Sequence, residues 1–188
     1  MAPPLPVSLR RREEMMLPLT TPRLLLRRFR TEDLPSFSHY RNLPEVARFQ
    51  SWTHYGMTEA TAFYEQQRSQ AFAEDESWFQ LAVEIQANGA LAGDVGIHFF
   101  DQGRQAELGM TFSPTYQHQG YAREAMRLLF EQLAHHRLMA VVDTRNTGAI
   151  KLLEGLGFRR EAHYRQNIFF KGEWGDEYLY ALLRSEYQ

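Results

Sequence analysis

The hydrophobic period of the chain changes at Gly120, and this change constrains the fold more than any other feature. Before it, Trp78–Ile85 alternates apolar and polar residues, and two more strand-like segments follow at Leu91–Phe100 and Gln105–Phe112. After it, apolar residues recur at helical spacing. These helical positions are Ala122, Met126, Leu129 and Leu133. The sequence therefore predicts a strand, a short polar loop and an amphipathic helix in direct succession.

The remaining patterns extend this unit into a mixed sheet covered by helices. Further strands are predicted at Arg23–Phe29, Leu138–Val142, Phe158–Phe169 and Glu177–Leu183. Further helices are predicted at Asp33–Arg41, Thr58–Phe72 with Thr58 as N-cap, and Thr147–Leu156 with Gly157 as a left-handed cap. Turns are predicted at Asn88-Gly89, Lys171-Gly172 and Trp174-Gly175. This order predicts an α/β (α+β) fold with about seven strands and helices on the sheet faces.

Composition favours one soluble globular domain. The chain has 188 residues, of which 44% are hydrophobic and 23% charged, and it shows no internal repeat or linker. Residues 17–188 are therefore predicted to form a single domain. Residues 1–16 are rich in proline and arginine, which indicates a disordered tail or an upstream start rather than a secretory signal.

Charge and cysteine content exclude several classes of function. No stretch approaches the roughly 20 apolar residues of a membrane-spanning helix, so no membrane partner is expected. The net charge of -2 gives no reason to expect nucleic acid, and the arginine clusters fit a solvated tail and a strand face. The absence of cysteine excludes disulfides, thiolate zinc sites and a cysteine nucleophile, and it fits a cytoplasmic location.

The polar loop before the amphipathic helix is the first candidate binding site. It runs from Gln117 to Ala122, through His118, Gln119, Gly120 and Tyr121. A helix N-terminus offers unpaired backbone N–H groups and the positive end of the helix dipole. Small residues there let a phosphate group approach closely. One glycine at a helix start is more often just a turn, so this loop alone is a weak signal.

Asn146 opens the next helix, after the strand that ends near Val142. It fits the common role of an N-cap. Its amide can equally point at a ligand lying between the two strands, and the sequence alone leaves both interpretations open.

Together these residues resemble the GNAT acetyltransferase superfamily. The resemblance is carried by Gln-x-x-Gly-x-Ala after a Glu-x-Gly strand, then Asn-x-x-Ala and Gly157-Phe158. Three more segments are similar to its RimJ/RimL-like branch. They are Leu19-x-Thr21-x-Arg23-Leu24-x-Leu26-Arg27, Gly93-Asp94-Val95-Gly96 and Lys171-Gly172-Glu173-Trp174-x-Asp176. The resemblance implies a mostly antiparallel sheet splayed between its fourth and fifth strands, and acetyl-CoA-dependent N-acetylation of a primary amine.

The resemblance also implies roles for particular residues. Gln117 to Ala122 would wrap the pyrophosphate of coenzyme A, while Met110, Thr111 and Phe112 would pair with the pantetheine arm and the thioester. Asn146 and Ala149 would lie beside that arm. Branch members often carry serine where this chain has Ala149, and the tyrosine acid of the superfamily is missing near Leu153. A thiol of pKa about 8.5 can leave as the thiolate without an acid.

Glu107 and His98 are the candidate catalytic residues. If Phe100 pairs with Gln105 across the turn, His98 lies opposite Glu107 and the two form an acid–imidazole pair. Such a pair can accept the proton of the attacking amine, while the N–H of Met110 or Phe112 donates to the oxyanion. The alternative is a structural polar pair on a solvated sheet face.

Weaker candidates surround this assignment. Four aromatic residues can line an amine pocket or belong to the core, and three acids can attract a cationic amine or simply be solvated. The aromatic residues are Trp52, Tyr55, Trp78 and Trp174, and the acids are Asp94, Glu173 and Asp176. His135 and His136 are adjacent on a helix end and point apart, so no metal site is expected.

The sequence does not identify the amine acceptor. A protein N-terminus or lysine and a small amine such as a polyamine, amino acid or aminoglycoside require the same chemistry. A binding module for acyl-CoA without turnover is the alternative to an enzyme. A homodimer is compatible with the sequence.

Overall fold

The computed structural model describes residues 17–72, 76–133 and 136–187. The proposed tail at residues 1–16 and His135 lie outside these residues. The predicted α/β fold is confirmed, as eight strands form one mixed sheet in the order β1-β2-β3-β4-β5-β6-β8-β7. The strands are β1 (Leu19–Thr20), β2 (Leu24–Arg27), β3 (Trp78–Ile85), β4 (Leu91–Phe100), β5 (Gln105–Phe112), β6 (Arg137–Asp143), β7 (Arg159–Phe170) and β8 (Glu173–Leu183). The strand beyond the predicted seven is the two-residue β1 at the sheet edge.

Within the described ranges, five α-helices connect the strands. They are α1 (Leu34–Arg41), α2 (Pro44–Ala47), α3 (Met57–Gln67), α4 (Tyr121–Gln132) and α5 (Thr147–Gly155). Of the helices that the structure describes, none has both the length and the apolar composition needed to span a bilayer. The predicted N-cap at Thr58 is wrong, because the cap is Gly56, whose N–H donates to the Glu59 carboxylate at 2.8 Å. The same helix ends at Gln67, five residues before the predicted end.

The hairpin between β7 and β8 corrects a second prediction. Lys171 and Gly172 both have positive φ values, 50° and 84°, and they close the turn alone. Trp174 therefore lies in β8, opposite Phe169, and the predicted turn at Trp174-Gly175 does not form. The predicted left-handed cap at Gly157 is confirmed by its φ of 91°.

The β5–β6 pair is the parallel step in an otherwise antiparallel sheet. These two strands pair over Gln105–Glu107 and Arg137–Met139 and then separate, although both continue. β5 and β6 are the fourth and fifth of the seven predicted strands, because β1 was not predicted. The predicted splay between the fourth and fifth strands is therefore confirmed. On their outer sides both strands stay paired, β5 with β4 as far as Phe112 and β6 with β8 as far as Asp143.

The two faces of the sheet carry separate cores. One face packs under α4 and α5, where Met126, Leu129 and Leu133 are buried against strand residues such as Leu138. The predicted apolar stripe of α4 is thus the stripe that faces the sheet. The other face carries α1 and α3, around a cluster that includes Phe37. We call this second surface the α1 face.

A buried ion pair anchors α1 to the sheet. Nη2 of Arg41 lies 2.6 Å from Oδ1 of Asp94, which is fully buried on β4. The Tyr40 hydroxyl donates to the other carboxylate oxygen, and Nε2 of Gln80 donates to Oδ1 at 2.8 Å. The Arg41 guanidinium also stacks on aromatic rings, including Trp52 at 4.3 Å from the ring centroid. Asp94 therefore serves to position α1.

This pair predicts a large stability effect. Asp94→Asn keeps the side-chain volume but leaves the Arg41 guanidinium without its counter-charge. Removing one partner of a buried pair costs about 3–5 kcal/mol. We therefore expect urea unfolding to show a loss of that size in the free energy of unfolding. The control is Glu65→Gln, which removes an exposed pair with Arg68 and should change stability by less than about 1 kcal/mol. Equal stability of the two variants would contradict this role.

Candidate active site

A cleft of about 860 Å³ opens where β5 and β6 separate. Its lining comes from both strands, from the N-terminal parts of α4 and α5, and from the α1 face. Met126 and Leu152 lie at the end toward the α4–α5 side, and Gln80 and Gly96 lie at the end on the α1 face. The cleft therefore passes through the sheet and connects its two faces.

The β5 wall of the cleft contains Met110, Thr111 and Phe112, the residues for which the resemblance implies contact with the pantetheine arm. β4 holds this wall in place, with Asp94 opposite Thr111. Beyond Glu107 the edge of β5 that faces β6 has no strand partner in the part of the chain that the structure describes. Unpaired backbone donors and acceptors of this kind bind an extended chain as an added strand would.

The polar loop from Gln117 to Ala122 forms one end of the cleft. We call it the pyrophosphate loop, after the role that the family resemblance implies for it. Its shape depends on two residues with left-handed backbone, His118 with φ 62° and Gly120 with φ 82°. The side chain of Gln117 donates to the Phe112 carbonyl at 3.0 Å, and that of Gln119 donates to the Thr115 carbonyl at 3.0 Å. The glutamine side chains thus hold the loop in shape.

The loop ends at the N-terminus of α4. The first helical hydrogen bond joins the N–H of Glu124 to the carbonyl of Gly120 at 3.0 Å. The N–H groups that precede it have no partner within the helix, and they carry the positive end of the helix dipole. Gly120, Tyr121 and Ala122 line the cleft at this point. The arrangement suits an anionic group such as a pyrophosphate.

Asn146 has the capping role that the sequence left open. Its Oδ1 accepts a hydrogen bond from the N–H of Ala149 at 3.2 Å, which caps α5. Both residues also line the cleft on its β6 side. Leu153, where the superfamily tyrosine was expected, lies in the same wall and is buried. Neither Ala149 nor Leu153 can donate a proton from its side chain.

The strand register places Glu107 and His98 as predicted. Phe100 lies opposite Gln105, and His98 lies opposite Glu107. Nδ1 of His98 is 3.9 Å from Oε2 of Glu107, which exceeds hydrogen-bond distance. Both side chains are half-buried at the end of the cleft on the α1 face, but neither belongs to its lining. The structure thus pairs the two residues and puts them next to the cleft.

The environment of Glu107 favours its neutral form. Burial raises the pKa of its carboxyl, the His98 imidazole acts in the opposite direction, and the charge of Glu177 raises it further. A carboxyl whose pKa is shifted upward toward neutrality is better matched to accept a proton from an amine.

Two glycines form the floor of the cleft on the α1 face. Gly96 and Gly109 lie directly opposite each other on β4 and β5, two residue pairs along from His98 and Glu107 and on the same face of the sheet. A Cβ at Gly109 would meet nothing within 4 Å, so the space above it is open. Trp78 stacks on His98 with 5.3 Å between ring centroids and lines the cleft beside this floor. Every second residue of a strand faces the same side of the sheet, so Asp94, Gly96 and His98 of β4 share one face. This alternation could have identified the floor from the sequence.

The other aromatic candidates lie elsewhere. Tyr55 belongs to the core of the α1 face, and Trp52 packs there against the Arg41 guanidinium. Trp174 is 60% exposed and contacts Phe169 near the tip of the β7–β8 hairpin. Of the four aromatic residues, Trp78 is the one that the structure places in the cleft.

The acidic candidates are engaged with other groups. Glu173 pairs with Arg145 at 3.2 Å, and Asp176 lies 3.4 Å from His163. The N–H of Gln166 donates to Asp176 and lowers its pKa. Sequence reasoning missed three acids of the cleft lining, Glu45, Asp143 and Glu177, of which Glu177 accepts a hydrogen bond from Asn167 at 2.8 Å. Within the described ranges, no three His, Asp or Glu side chains are grouped to hold a metal ion.

Comparison with known proteins identifies the family. The model of the acetyltransferase (GNAT) domain matches residues 23–159, and the chain belongs to the GNAT acetyltransferase family. It is an acetyl-CoA-dependent acyltransferase by this membership, so the alternative of a binding module without turnover is not favoured. The resemblance stated from the sequence is thereby confirmed.

Individual relatives cover most of the chain. An uncharacterized N-acetyltransferase of Bacillus subtilis, YnaD, is 27% identical over 90% of this chain and 98% of its own length. The crystal structure of a GNAT-family acetyltransferase from Bacillus anthracis covers 90% of this chain and 100% of its own, with TM-score 0.79 and 25% identity. Spermidine N-acetyltransferase from Vibrio cholerae, solved with CoA and spermine, covers 89% and 99%, with TM-score 0.73 and 24% identity.

The loop geometry predicts the effect of Gly120→Ala. A Cβ at Gly120 would lie 3.3 Å from Nη2 of Arg23, and the residue has a left-handed backbone. We therefore expect the loop to shift and the dissociation constant for coenzyme A to rise about tenfold, as isothermal titration calorimetry would measure.

The matched control is Gly157→Ala. Gly157 also has a positive φ beside a helix, but a Cβ there would meet nothing within 4 Å. Both variants should lose roughly 1–2 kcal/mol of stability from the strained backbone. Coenzyme A binding should weaken only for Gly120→Ala, and unchanged affinity in that variant would contradict the loop assignment.

Proposed function

We propose that this protein transfers the acetyl group of acetyl-CoA to a primary amine by direct attack within a ternary complex. The observation that carries the proposal is the cleft through the sheet, which joins the N-terminus of α4 to the α1 face. The amine nitrogen bonds to the thioester carbonyl carbon, the C–S bond breaks, and the amine loses a proton. With no cysteine in the chain, the acetyl group has no thiol on which to rest.

The residues along the cleft fit acetyl-CoA as co-substrate. The N–H groups at the start of α4 match a pyrophosphate, and the unpaired edge of β5 from Leu108 to Phe112 matches the amide-containing pantetheine arm. The N–H of Met110 or Phe112 would donate to the thioester oxygen as negative charge develops there. Asn146 and Ala149 form the opposite wall.

The acceptor amine would enter from the α1 face. The open space above Gly109 leaves room for it, and Glu45 and Glu177 are carboxylates in the lining that would attract a protonated amine. Vibrio cholerae spermidine N-acetyltransferase makes a polyamine one acceptor to test. A protein N-terminus is the other. A cytoplasmic location, a homodimer and the absence of metal and nucleic-acid partners stay predictions from the sequence.

Glu107 is our candidate for the proton acceptor, directly or through water. It lies two residue pairs from the floor and on the same face of the sheet, its pKa is raised, and its neighbour His98 can orient it or relay the proton. Glu177 is the rival carboxylate because it lines the cleft itself.

Mass spectrometry tests the reaction. With acetyl-CoA and a panel of polyamines, amino acids, aminoglycosides and peptides with free N-termini, one class should gain an acetyl group while free coenzyme A appears. With acetyl-CoA alone, the intact mass of the protein should stay unchanged, because direct attack forms no acetyl-enzyme. A kinetically competent acetyl adduct would overturn the ternary-complex mechanism.

Glu107→Gln tests the base. A positioned base contributes a factor of about 10²–10⁴ in rate, so kcat should fall by a factor in that range while coenzyme A affinity is retained. In the native protein kcat should fall as pH drops through the raised pKa of Glu107. The variant should lack this acid limb, and it should lose less activity at high pH, where the amine deprotonates unaided.

Stability separates this role from a structural one. Because the pKa of Glu107 is raised in the folded state, its ionised form opposes folding at pH values above that pKa. Glu107→Gln should therefore be at least as stable as the native protein at neutral pH. A stability loss with normal kcat would indicate a structural pair. Normal kcat in Glu107→Gln with a large loss in Glu177→Gln would reassign the base.

A further inference from the structure

The segment around Thr21 and Arg23 resembles a family motif, but it has no part in the proposed reaction. It forms the corner between β1 and β2, outside the lining of the cleft. The corner is fixed to the sheet by hydrogen bonds of the Thr21 and Gln86 side chains. The Thr21 hydroxyl accepts the N–H of Leu24 at 2.8 Å, and Nε2 of Gln86 donates to the carbonyls of Thr21 and Leu24 at 2.7 and 2.9 Å.

From this fixed corner, Arg23 contacts the pyrophosphate loop and α4 at three points. Its Nη1 donates to the Gln119 carbonyl at 3.1 Å. Its Nε donates to the Glu124 carboxylate at 2.9 Å. Its guanidinium lies over the Tyr121 ring, 4.3 Å from the centroid. One planar cation thus joins the last residues of the loop to the first turn of α4.

Glu124 explains why a cation is needed there. Its carboxylate lies in the first turn of α4, close to the backbone donors that would hold a pyrophosphate. Partial burial raises its pKa, but hydrogen bonds from Thr21 and Arg23 outweigh this and hold the pKa below its ordinary value. The group is therefore ionised, and without Arg23 its negative charge would repel a bound pyrophosphate.

The position of Gly120 shows how near this cation lies to the loop. A Cβ on Gly120 would be 3.3 Å from Nη2 of Arg23. The guanidinium therefore lies directly beside the N-cap residue of α4.

We propose that Arg23 is a positioning residue for the pyrophosphate of coenzyme A, acting through the loop and through Glu124. It fixes the Gln119 carbonyl, so that the N–H groups that follow keep their direction, and it neutralises Glu124. This inference rests on the proposed function, since it assigns the pyrophosphate to that loop. It predicts that Arg23 matters for ligands that carry the pyrophosphate and not for the acetyl-bearing arm alone.

The test compares two acetyl donors, acetyl-CoA and acetyl-pantetheine, which lacks the nucleotide and its pyrophosphate. In Arg23→Gln the KM for acetyl-CoA and the dissociation constant of coenzyme A should rise about tenfold or more. The kcat at saturating acetyl-CoA should stay within about twofold, and kcat/KM for acetyl-pantetheine should not change.

Arg28→Gln is the matched control. Arg28 belongs to the same segment, donates to the Gln70 carbonyl at 2.9 Å and lies over the Phe79 ring at 4.9 Å, but it does not contact the loop. Its variant should keep the native preference for acetyl-CoA over acetyl-pantetheine. Arg23→Lys, which keeps the charge but loses the forked contacts, should fall between the native protein and Arg23→Gln.

Glu124→Gln isolates the electrostatic part. This variant loses the ion pair between Arg23 and Glu124, but it also removes the negative charge that would repel the pyrophosphate. Its coenzyme A affinity should therefore fall less than that of Arg23→Gln. In the double variant, removal of the unpaired carboxylate should recover part of the Arg23→Gln loss, a coupling that a double-mutant cycle measures.

The outcomes distinguish failure of the proposed pyrophosphate site from failure of the proposed role of Arg23. If the native protein does not prefer acetyl-CoA to acetyl-pantetheine, the proposed pyrophosphate site fails. If that preference exists but survives in Arg23→Gln, the role of Arg23 is overturned. A variant that weakens use of both donors equally, with a lower unfolding temperature, would show a merely structural role and would overturn it as well.

Discussion

The loss of backbone pairing between β5 and β6 is the constraint on which the rest of the site depends. Buried N–H and C=O groups require partners, so two central strands rarely separate unless something else satisfies them. Here the outer sides of both strands remain fully paired, by β4 and by β8, and this keeps the gap open without loss of the sheet. The gap thereby exposes backbone polar groups between two packed faces, where an extended amide-containing ligand can replace the missing strand.

Two fixed supports hold the ends of this gap. On the α1 face, Arg41 and Asp94 lock α1 onto β4 at that end of the cleft. On the other side, Arg23 and Glu124 hold the loop at the start of α4. The first pair is buried, so its effect appears mainly as stability. The second is partly exposed, with 43% of the Arg23 side chain accessible, so we expect it to govern ligand affinity more than folding.

Features set by short stretches of sequence were predicted correctly. Gly157, the Lys171-Gly172 turn and the apolar stripe of α4 depend on local backbone preference or on one helical face. The opposition of His98 and Glu107 followed from the length of one turn. Trp174-Gly175 has the composition of a turn, yet the tighter turn just before it closes the hairpin and makes Trp174 part of a strand.

Features that join distant parts of the chain could not be predicted. Arg41 and Asp94 are 53 residues apart in sequence, and Thr21 and Glu124 are 103 apart. No local pattern marks such partners, because their approach is decided by the packing of whole elements. Glu177 was missed for the same reason, since its position beside the cleft follows from β8 pairing next to β6. The pyrophosphate role of the loop from Gln117 to Ala122 was predicted from the family resemblance. Composition and hydrophobic period alone indicated an ordinary turn there.

The position of β8 has a consequence for how the protein is made. β8 is the last strand in sequence, yet it lies inside the sheet, between β6 and β7, and pairs with both. During synthesis β6 and β7 therefore leave the ribosome without the strand that must separate them. Until β8 emerges, β6 has exposed pairing groups on both sides over most of its length, a state open to misplaced pairing. The wall of the cleft on that side can form only after β8 is inserted, so a nascent chain should complete the cleft only once β8 has emerged from the ribosome.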